Sequence, residues 1–193
     1  MEVLPSWCLY SDHKQYWSHI DNFFTKEECE QIIAYGKKQE LHDAQIGGGN
    51  DTDIRKSKIA FIPPAPEIHG VYEKLTDAIF LLNDRIWDFD LFSFGEHLQF
   101  TEYNAPGGKY ESHTDVIPGG PIRKLSVIVQ LTDGTEYEGG DIEAFSCIER
   151  PMILPRGQGT VLAFPSFLLH RVTPVTKGTR HSLVGWINGK PFR

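Results

Sequence analysis

The sequence predicts a mainly β fold, a sandwich or jelly roll, with helices in the first half of the chain. From His97 onward, apolar residues recur with a period of two, as in half-buried strands. Turn-forming groups separate these short strands, at residues 105–108, 118–121, 133–134 and 138–140. Closely spaced strands joined by turns are typical of packed antiparallel sheets and not of a parallel sheet.

The first predicted helix begins at a capping box. Thr25 is followed three residues later by Glu28, so the threonine caps the helix and the glutamate reaches back to it. We expect the helix to end near Gly36. The residues on its apolar face are Cys29, Ile32 and Ile33.

The second predicted helix should begin at Pro66, because proline suits a first helical turn. Its apolar residues recur at spacings of three and four and form one continuous stripe: Ile68, Tyr72, Leu75, Ile79, Leu82 and Ile86. We expect this stripe to pack against the core.

A glycine-rich segment, residues 47–53, lies between the helices and leads into the basic residues Arg55, Lys56 and Lys58. The glycines predict a mobile loop. Such a loop is consistent with a cover over a substrate and equally with a solvated surface loop. A strand is predicted after it, at residues 59–62. Four further strands are predicted at residues 98–103, 125–131, 160–164 and 182–187.

Length and composition fit one domain of 193 residues. The element pattern divides it into a helical support region at 1–95 and a jelly-roll core at 96–193. The formal net charge of −7 argues against nonspecific binding to nucleic acid or to an anionic membrane. We find no signal-peptide pattern and no apolar run long enough for a membrane span. Three scattered cysteines without a CxxC motif indicate neither a disulfide framework nor a thiolate zinc site. A reducing, cytoplasmic setting is expected.

His113, Asp115 and His170 form a candidate metal site. Two imidazoles and one carboxylate make a facial ligand set that leaves other positions of a divalent metal open. His113 and Asp115 are two residues apart, so both side chains face the same way on an extended segment. His170 follows a later strand, so the fold must bring it to the other two. The alternative roles are a surface histidine at position 113 and a backbone-bonded histidine at position 170.

Arg180 lies ten residues after His170 and begins a predicted strand, whose alternation turns Ser182, Val184 and Trp186 to the same face. An inward-facing arginine needs an anionic partner, because a buried unpaired charge is costly. A guanidinium near a metal suits a two-pronged contact with a small dicarboxylate, although a surface ion pair is the alternative. The combination predicts an iron(II) oxygenase that consumes 2-oxoglutarate.

Residues 98–187 resemble the prolyl 4-hydroxylase group of 2-oxoglutarate- and iron(II)-dependent dioxygenases. The matching groups include residues 100–103, Gly107, Gly108, Tyr110, His113, Asp115, residues 137–141, His170, Gly178, Arg180, Ser182 and Trp186. The resemblance implies a double-stranded β-helix with helices packed on one side. It also implies iron held by His113, Asp115 and His170, and 2-oxoglutarate paired with Arg180.

The resemblance implies further contacts. Besides Arg180, the implied cosubstrate-binding residues are Tyr103, Gln130, Ile142 and Val172. Gln130 occupies a position where several relatives carry a second tyrosine, so we expect that contact to be altered. The candidate contacts to an extended peptide are Arg55, Tyr110 and Trp186.

Three functions are open from the sequence. The first is hydroxylation of prolyl residues in a peptide or protein, with O2 as second cosubstrate, ascorbate as a supporting reductant, and succinate and CO2 as products. The second is the same chemistry on a free amino acid or small metabolite; the acidic charge disfavours nucleobase repair. The third is a noncatalytic metal-binding protein, because a His2Asp set also binds zinc.

Overall fold

The computed structural model describes residues 15–44, 51–145 and 150–191, which contain two helices and fourteen strands. The three glycines predicted to form a mobile loop, residues 47–49, lie outside these ranges. The helices are α1 (Lys26–Lys37) and α2 (His69–Ile86). The strands are β1 (Ser18–Ile20), β2 (His42–Asp43), β3 (Arg55–Lys56), β4 (Lys58–Ile62), β5 (Leu91–Phe94), β6 (Leu98–Asn104), β7 (Gly108–His113), β8 (Arg123–Gln130), β9 (Glu138–Gly139), β10 (Ile142–Phe145), β11 (Met152–Ile153), β12 (Val161–Pro165), β13 (Leu169–Lys177) and β14 (Thr179–Gly189).

The strands form two antiparallel sheets that pack face to face. The larger sheet has the order β1-β12-β8-β14-β6-β4-β2, with β5 also paired to β14. The smaller sheet has the order β11-β10-β13-β7-β3, with β9 also paired to β13. Neighbouring strands in each sheet are mostly distant in sequence, so the chain repeatedly crosses between the two sheets. This arrangement is the jelly roll, or double-stranded β-helix, that the sequence predicts.

The larger sheet is buried on both faces. On one face, Leu98 and Phe100 of β6 belong to a core shared with the two helices. On the other face, Tyr103 of β6 and Ile128 of β8 belong to a second core, shared with the smaller sheet. The period-two alternation therefore sorts residues between two buried compartments and not between a core and solvent.

The capping box of α1 is confirmed. The Glu28 backbone N–H donates to Thr25 Oγ1 at 3.2 Å, and the Thr25 N–H donates to Glu28 Oε2 at 2.7 Å. Glu28 also accepts from Lys74 Nζ at 2.7 Å, which ties α1 to α2. Gly36 lies directly on the sheet, since a Cβ atom there would come within 2.5 Å of the Phe100 ring. A side chain at this position would hold α1 away from β6.

The second helix begins at His69, three residues later than predicted. The Ile68 backbone N–H donates to the Ala65 carbonyl at 3.0 Å, so residues 65–68 close a separate turn that contains Pro66. The predicted stripe is confirmed: Ile68, Tyr72, Leu75, Ile79 and Leu82 are buried, and Ile86 packs against them half-buried. Neither described helix is long and apolar enough to cross a membrane.

The first 95 residues contribute more than helices to the fold. They also supply β1 to β5, and these strands join both sheets. The division of a single domain at residue 95 stays a prediction.

Candidate metal centre

Strand register brings the three predicted metal ligands together. His113 ends β7 and pairs directly with His170 near the start of the neighbouring strand β13. Asp115 follows β7 by two residues, and its backbone N–H donates to the Ser166 carbonyl at 2.9 Å. One potential ligand atom from each of the three side chains lies within 4.8 Å of the others.

Backbone hydrogen bonds fix the tautomer of both histidines. His113 Nδ1 lies 2.8 Å from the Glu111 carbonyl, and His170 Nδ1 lies 2.9 Å from the Leu168 carbonyl. A carbonyl only accepts, so each Nδ1 carries the proton and each Nε2 presents a lone pair. The Nε2 atoms face the Asp115 carboxylate at 3.6 Å and 3.8 Å. These separations exceed hydrogen-bond lengths and suit three ligands around a shared ion.

Asp115 is held by neighbours that the metal-site pattern does not include. The Ser126 hydroxyl donates to Asp115 Oδ2 at 2.6 Å and lies 3.1 Å from the Ser166 hydroxyl. Arg123 Nη1 donates to the Asp115 backbone carbonyl at 3.2 Å. The Trp186 indole N–H also faces this carboxylate, although the two groups do not meet the geometry of a hydrogen bond. Together these contacts fix both the backbone and the carboxylate orientation.

The electrostatics favour the ligating form of two of the three groups. Burial, with the neighbouring His170, lowers the pKa of His113 to about 4, so its imidazole is neutral at pH 7. Burial acts to raise the pKa of Asp115, but the two histidines and the Ser126 hydrogen bond lower it overall. Neutral imidazole and ionised carboxylate are the forms that bind a metal.

Arg180 is a buried cation without a carboxylate partner among the described residues. Its side chain is 1% exposed. Nη2 donates to Gln130 Oε1 at 2.8 Å, Nε has no acceptor, and the guanidinium carbon lies 5.4 Å from the centre of the Tyr103 ring. A desolvated guanidinium with a free Nε–H fits the far carboxylate of a bound dicarboxylate.

The two candidate sites share one pocket of about 230 Å³. Most of the predicted site residues line it: His113, Asp115, His170, Arg180, Tyr103, Val172, Arg55, Tyr110 and Trp186. The predicted inward face of β14 is also confirmed, since Ser182 and Val184 line the pocket with Arg180 and Trp186. The residues present therefore fit both a divalent metal and a small dicarboxylate.

Gln130 and Ile142 lie behind the pocket wall. Gln130 Oε1 accepts from Arg180, and its Nε2 donates to the Pro155 carbonyl at 3.0 Å. Arginine only donates and a carbonyl only accepts, so these two partners fix the amide orientation. Ile142 is 1% exposed in the core between the sheets. Their direct contact with a cosubstrate stays a prediction; the structure gives Gln130 a contact with Arg180 instead.

The three candidate peptide contacts all line the pocket. The Arg55 guanidinium lies over the Tyr110 ring at 4.5 Å, and the Tyr110 ring stacks on His113 with centroids 3.5 Å apart. On the other side, Arg123 lies 3.9 Å over the Trp186 ring and is paired with Glu96 at 2.6 Å.

Sequence reasoning missed Ser126, Ser166 and Arg123. Ser126 could have been found, because the alternation of β8 puts it on the same face as Ile128. Ser166 lies outside the segments in which apolar residues alternate. Arg123 looks in the sequence like any other cation next to a strand, and its role is visible only from its contacts in the folded protein. No sequence signal distinguished these two.

Comparison with known proteins assigns the family. Residues 98–188 match the model of the 2OG-Fe(II) oxygenase superfamily. A PKHD-type hydroxylase of Picosynechococcus is 30% identical over 171 residues, which cover 87% of this chain and 76% of that protein. The chain therefore belongs to the 2OG-Fe(II) oxygenase superfamily, whose members use Fe(II), 2-oxoglutarate and O2.

Solved structures show the same fold at lower identity. A Pseudomonas putida prolyl 4-hydroxylase is 23% identical, with a TM-score of 0.74 over 91% of this chain and 94% of that chain. A Trichoplax adhaerens prolyl hydroxylase, in complex with a peptide fragment of the hypoxia inducible factor oxygen degradation domain, is 18% identical. Its TM-score is 0.77 over 90% of this chain and 84% of that one.

Proposed function

We propose that this oxygenase hydroxylates prolyl residues of a peptide or protein. The observation that carries the proposal is the convergence, in one pocket, of three potential metal ligands with a buried cation that has no acidic partner among the described residues. The ligands are His113, Asp115 and His170, and the cation is Arg180. When bound, iron(II) and 2-oxoglutarate supply the oxidising chemistry: O2 is consumed, 2-oxoglutarate becomes succinate and CO2, and one oxygen atom enters a substrate C–H bond.

In this proposal the protein holds the metal with His113 Nε2, His170 Nε2 and the Asp115 carboxylate. The backbone carbonyls behind each Nδ1–H fix the ring orientations, so both imidazoles are preorganised. Ser126 fixes the carboxylate, since its hydroxyl donates to Oδ2 at 2.6 Å. No side-chain acid or base is assigned to the reaction.

Arg180 binds the far carboxylate of 2-oxoglutarate. Gln130 holds the guanidinium from behind, which leaves the Nε–H for the cosubstrate. Tyr103 lies beside Arg180 in the same pocket, and Val172 gives it an apolar wall. Tyr103 therefore contributes a phenol to the same carboxylate subsite.

The substrate reaches this centre through the partly open mouth between the sheets. Phe61, Val116 and Ile117 line the pocket and are 40–48% exposed, so an apolar ring such as that of proline has a matching surface. The names of the relatives support a hydroxylase, and the Trichoplax enzyme binds a peptide.

Mass spectrometry of candidate substrates tests the proposal. The protein is incubated with iron(II), ascorbate, O2 and 2-oxoglutarate, together with proline-containing peptides or with free amino acids. We expect one added oxygen on proline in the peptides and an equal amount of succinate. His170→Ala should abolish both, whereas His42→Ala, a matched control at an exposed histidine outside the pocket, should not. Oxygen added to a free amino acid and to no peptide would overturn the peptide assignment.

A further inference from the structure

Arg55 is a second cation at this pocket that lacks an acidic partner among the described residues. Its side chain is 8% exposed although it lies on the short edge strand β3. Its Nε donates to Ser57 Oγ at 2.9 Å, and its guanidinium rests on the Tyr110 ring at 4.5 Å. These contacts hold the guanidinium plane but neutralise none of its charge, and its terminal nitrogens have no hydrogen-bond acceptor among the residues that the structure describes.

Two other cations, one in the pocket lining and one next to Arg55 in the chain, already have partners. Arg123 is neutralised by Glu96, with nitrogen–oxygen distances of 2.6 and 2.7 Å. Lys56 Nζ donates to the Pro106 carbonyl at 2.8 Å. Arg55 thus differs from its neighbours in being rigidly placed, largely buried and without a counter-charge.

The charges of the pocket residues, the metal and 2-oxoglutarate sum to one positive charge. Among the described residues, three arginines line the pocket, with one carboxylate, Asp115. Glu96 cancels Arg123. A divalent metal and the 2-oxoglutarate dianion cancel each other, and Asp115 offsets one of Arg55 and Arg180. The complete cosubstrate complex therefore keeps a net positive charge, which an anionic group of the substrate would neutralise.

We infer that Arg55 is a specificity-determining residue that binds a carboxylate of the substrate, so that the preferred substrate is an acidic peptide. The inference rests on the proposed function for its peptide substrate. The planar guanidinium, fixed by Ser57 and Tyr110, presents its remaining N–H groups in the fork that a carboxylate accepts.

The stack also sets where the carboxylate lies relative to the reacting residue. The Arg55 guanidinium carbon lies 4.5 Å from the centre of the Tyr110 ring, and the centres of the Tyr110 and His113 rings are 3.5 Å apart. The guanidinium carbon is therefore no farther than about 8 Å from the centre of the His113 ring. An extended chain rises roughly 3.3 Å per residue. The acidic group should therefore lie within a few residues of the target residue. It is either a Glu or Asp side chain or the carboxylate of a peptide C-terminus.

Paired peptides test the inference by binding, in the absence of turnover. The holoenzyme with iron(II) and 2-oxoglutarate is titrated anaerobically with peptides that carry Glu or Gln at each position within four residues of a central proline. A second series compares a free C-terminal carboxylate with its amide at the same spacings. We expect at least about tenfold tighter binding of one acidic peptide than of its neutral partner, because a charge-assisted hydrogen bond replaces a neutral contact. The series with the larger ratio identifies the source of the carboxylate.

Variants assign the preference to one side chain. Arg55→Met keeps an apolar stem over Tyr110 and should bring the acidic-to-neutral ratio close to one, while Arg55→Lys should keep part of it. Lys58→Met, which removes a nearby exposed charge outside the pocket lining, should leave the ratio unchanged. An unchanged ratio in Arg55→Met would overturn the inference. So would equal binding of acidic and neutral peptides by the wild-type protein, a comparison that needs no variant.

The same peptides separate the two proposals when O2 is admitted. Hydroxylated proline with no acidic preference would overturn the Arg55 subsite and leave the proposed function standing. An Arg55-dependent preference with no oxygen on proline, but oxygen on another residue of the peptide, would overturn the proline assignment and leave the subsite standing.

Discussion

Replacement of Arg180 by methionine should separate the stability of the ligand-free protein from its affinity for 2-oxoglutarate. In the ligand-free protein, the side chain is 1% exposed and its charge has no acidic partner among the described residues. Burial of an unpaired charge costs several kcal/mol, whereas methionine fills a similar volume without that cost. The variant does leave Gln130 Oε1 without its donor, at about 1–3 kcal/mol. These effects oppose each other, so the free energy of unfolding should fall by less than about 1 kcal/mol or rise.

The same substitution should weaken the binding of 2-oxoglutarate, and this loss of binding free energy should exceed the change in the free energy of unfolding. Removal of one partner from a buried charged pair costs about 2–5 kcal/mol, or roughly 30-fold to several thousand-fold in Kd. At a 2-oxoglutarate concentration 100 times the wild-type Kd, the ligand should stabilise the wild-type protein by about 2.7 kcal/mol. A variant with 30-fold weaker binding would gain only about 0.9 kcal/mol at the same concentration.

Urea unfolding with and without 2-oxoglutarate, in anaerobic iron(II) buffer, measures both quantities. Arg85→Met on the exposed side of α2 is the matched control and should keep the full stabilisation by ligand. If 2-oxoglutarate stabilises Arg180→Met as much as the wild-type protein, the guanidinium does not bind the cosubstrate and the reasoning is refuted. A loss of several kcal/mol in the ligand-free variant would equally contradict the view that this charge is unpaired.

Three further predictions concern Ser126, Gln130 and His181. Ser126→Ala should weaken cobalt(II) binding by about 10- to 100-fold in a spectroscopic titration, because Asp115 loses its orienting donor, and Ser126→Thr should restore it. Gln130→Met should weaken 2-oxoglutarate binding less than loss of Arg180 does; an equal or larger loss by calorimetry would contradict a purely positioning role. Burial lowers the pKa of His181 to about 4. Between that pH and about 6.5 the unfolded chain therefore binds more protons than the folded protein does, and the folded state loses stability as the pH falls. His181→Gln should therefore reduce the loss between pH 7 and pH 4.5 by roughly 2–3 kcal/mol in urea unfolding of metal-free protein, and an unchanged slope would contradict this assignment.

Local sequence patterns predicted much of the fold, because the interactions that form these elements are between residues close in sequence. The capping box at Thr25 depends on residues three apart, and the stripe of α2 depends on one helical period. The start of α2 was misplaced because a proline is compatible both with a first helical turn and with the separate turn that precedes it here. Period two located the strands of the second half, but it did not reveal that β6 and β8 are buried on both faces.

The candidate site likewise contains residues that a local pattern predicts and contacts that depend on the pairing of distant strands. His113 and Asp115 lie on one short segment, and Arg180 begins a strand whose alternation is readable, so their common direction could be inferred. The contact of Gln130 with Arg180 depends on the register between β8 and β14, which no single strand encodes. The stack of Arg55 on Tyr110 likewise depends on the pairing of β3 with β7.

Anaerobic titration, first with iron(II) and then with 2-oxoglutarate, followed by visible absorption, tests the metal centre most directly. We predict a charge-transfer band that saturates at one iron per chain, requires both additions, and is absent from Asp115→Ala. A band of undiminished intensity in Asp115→Ala, or none in the wild-type protein, would contradict the assignment of His113, Asp115 and His170 as the iron ligands.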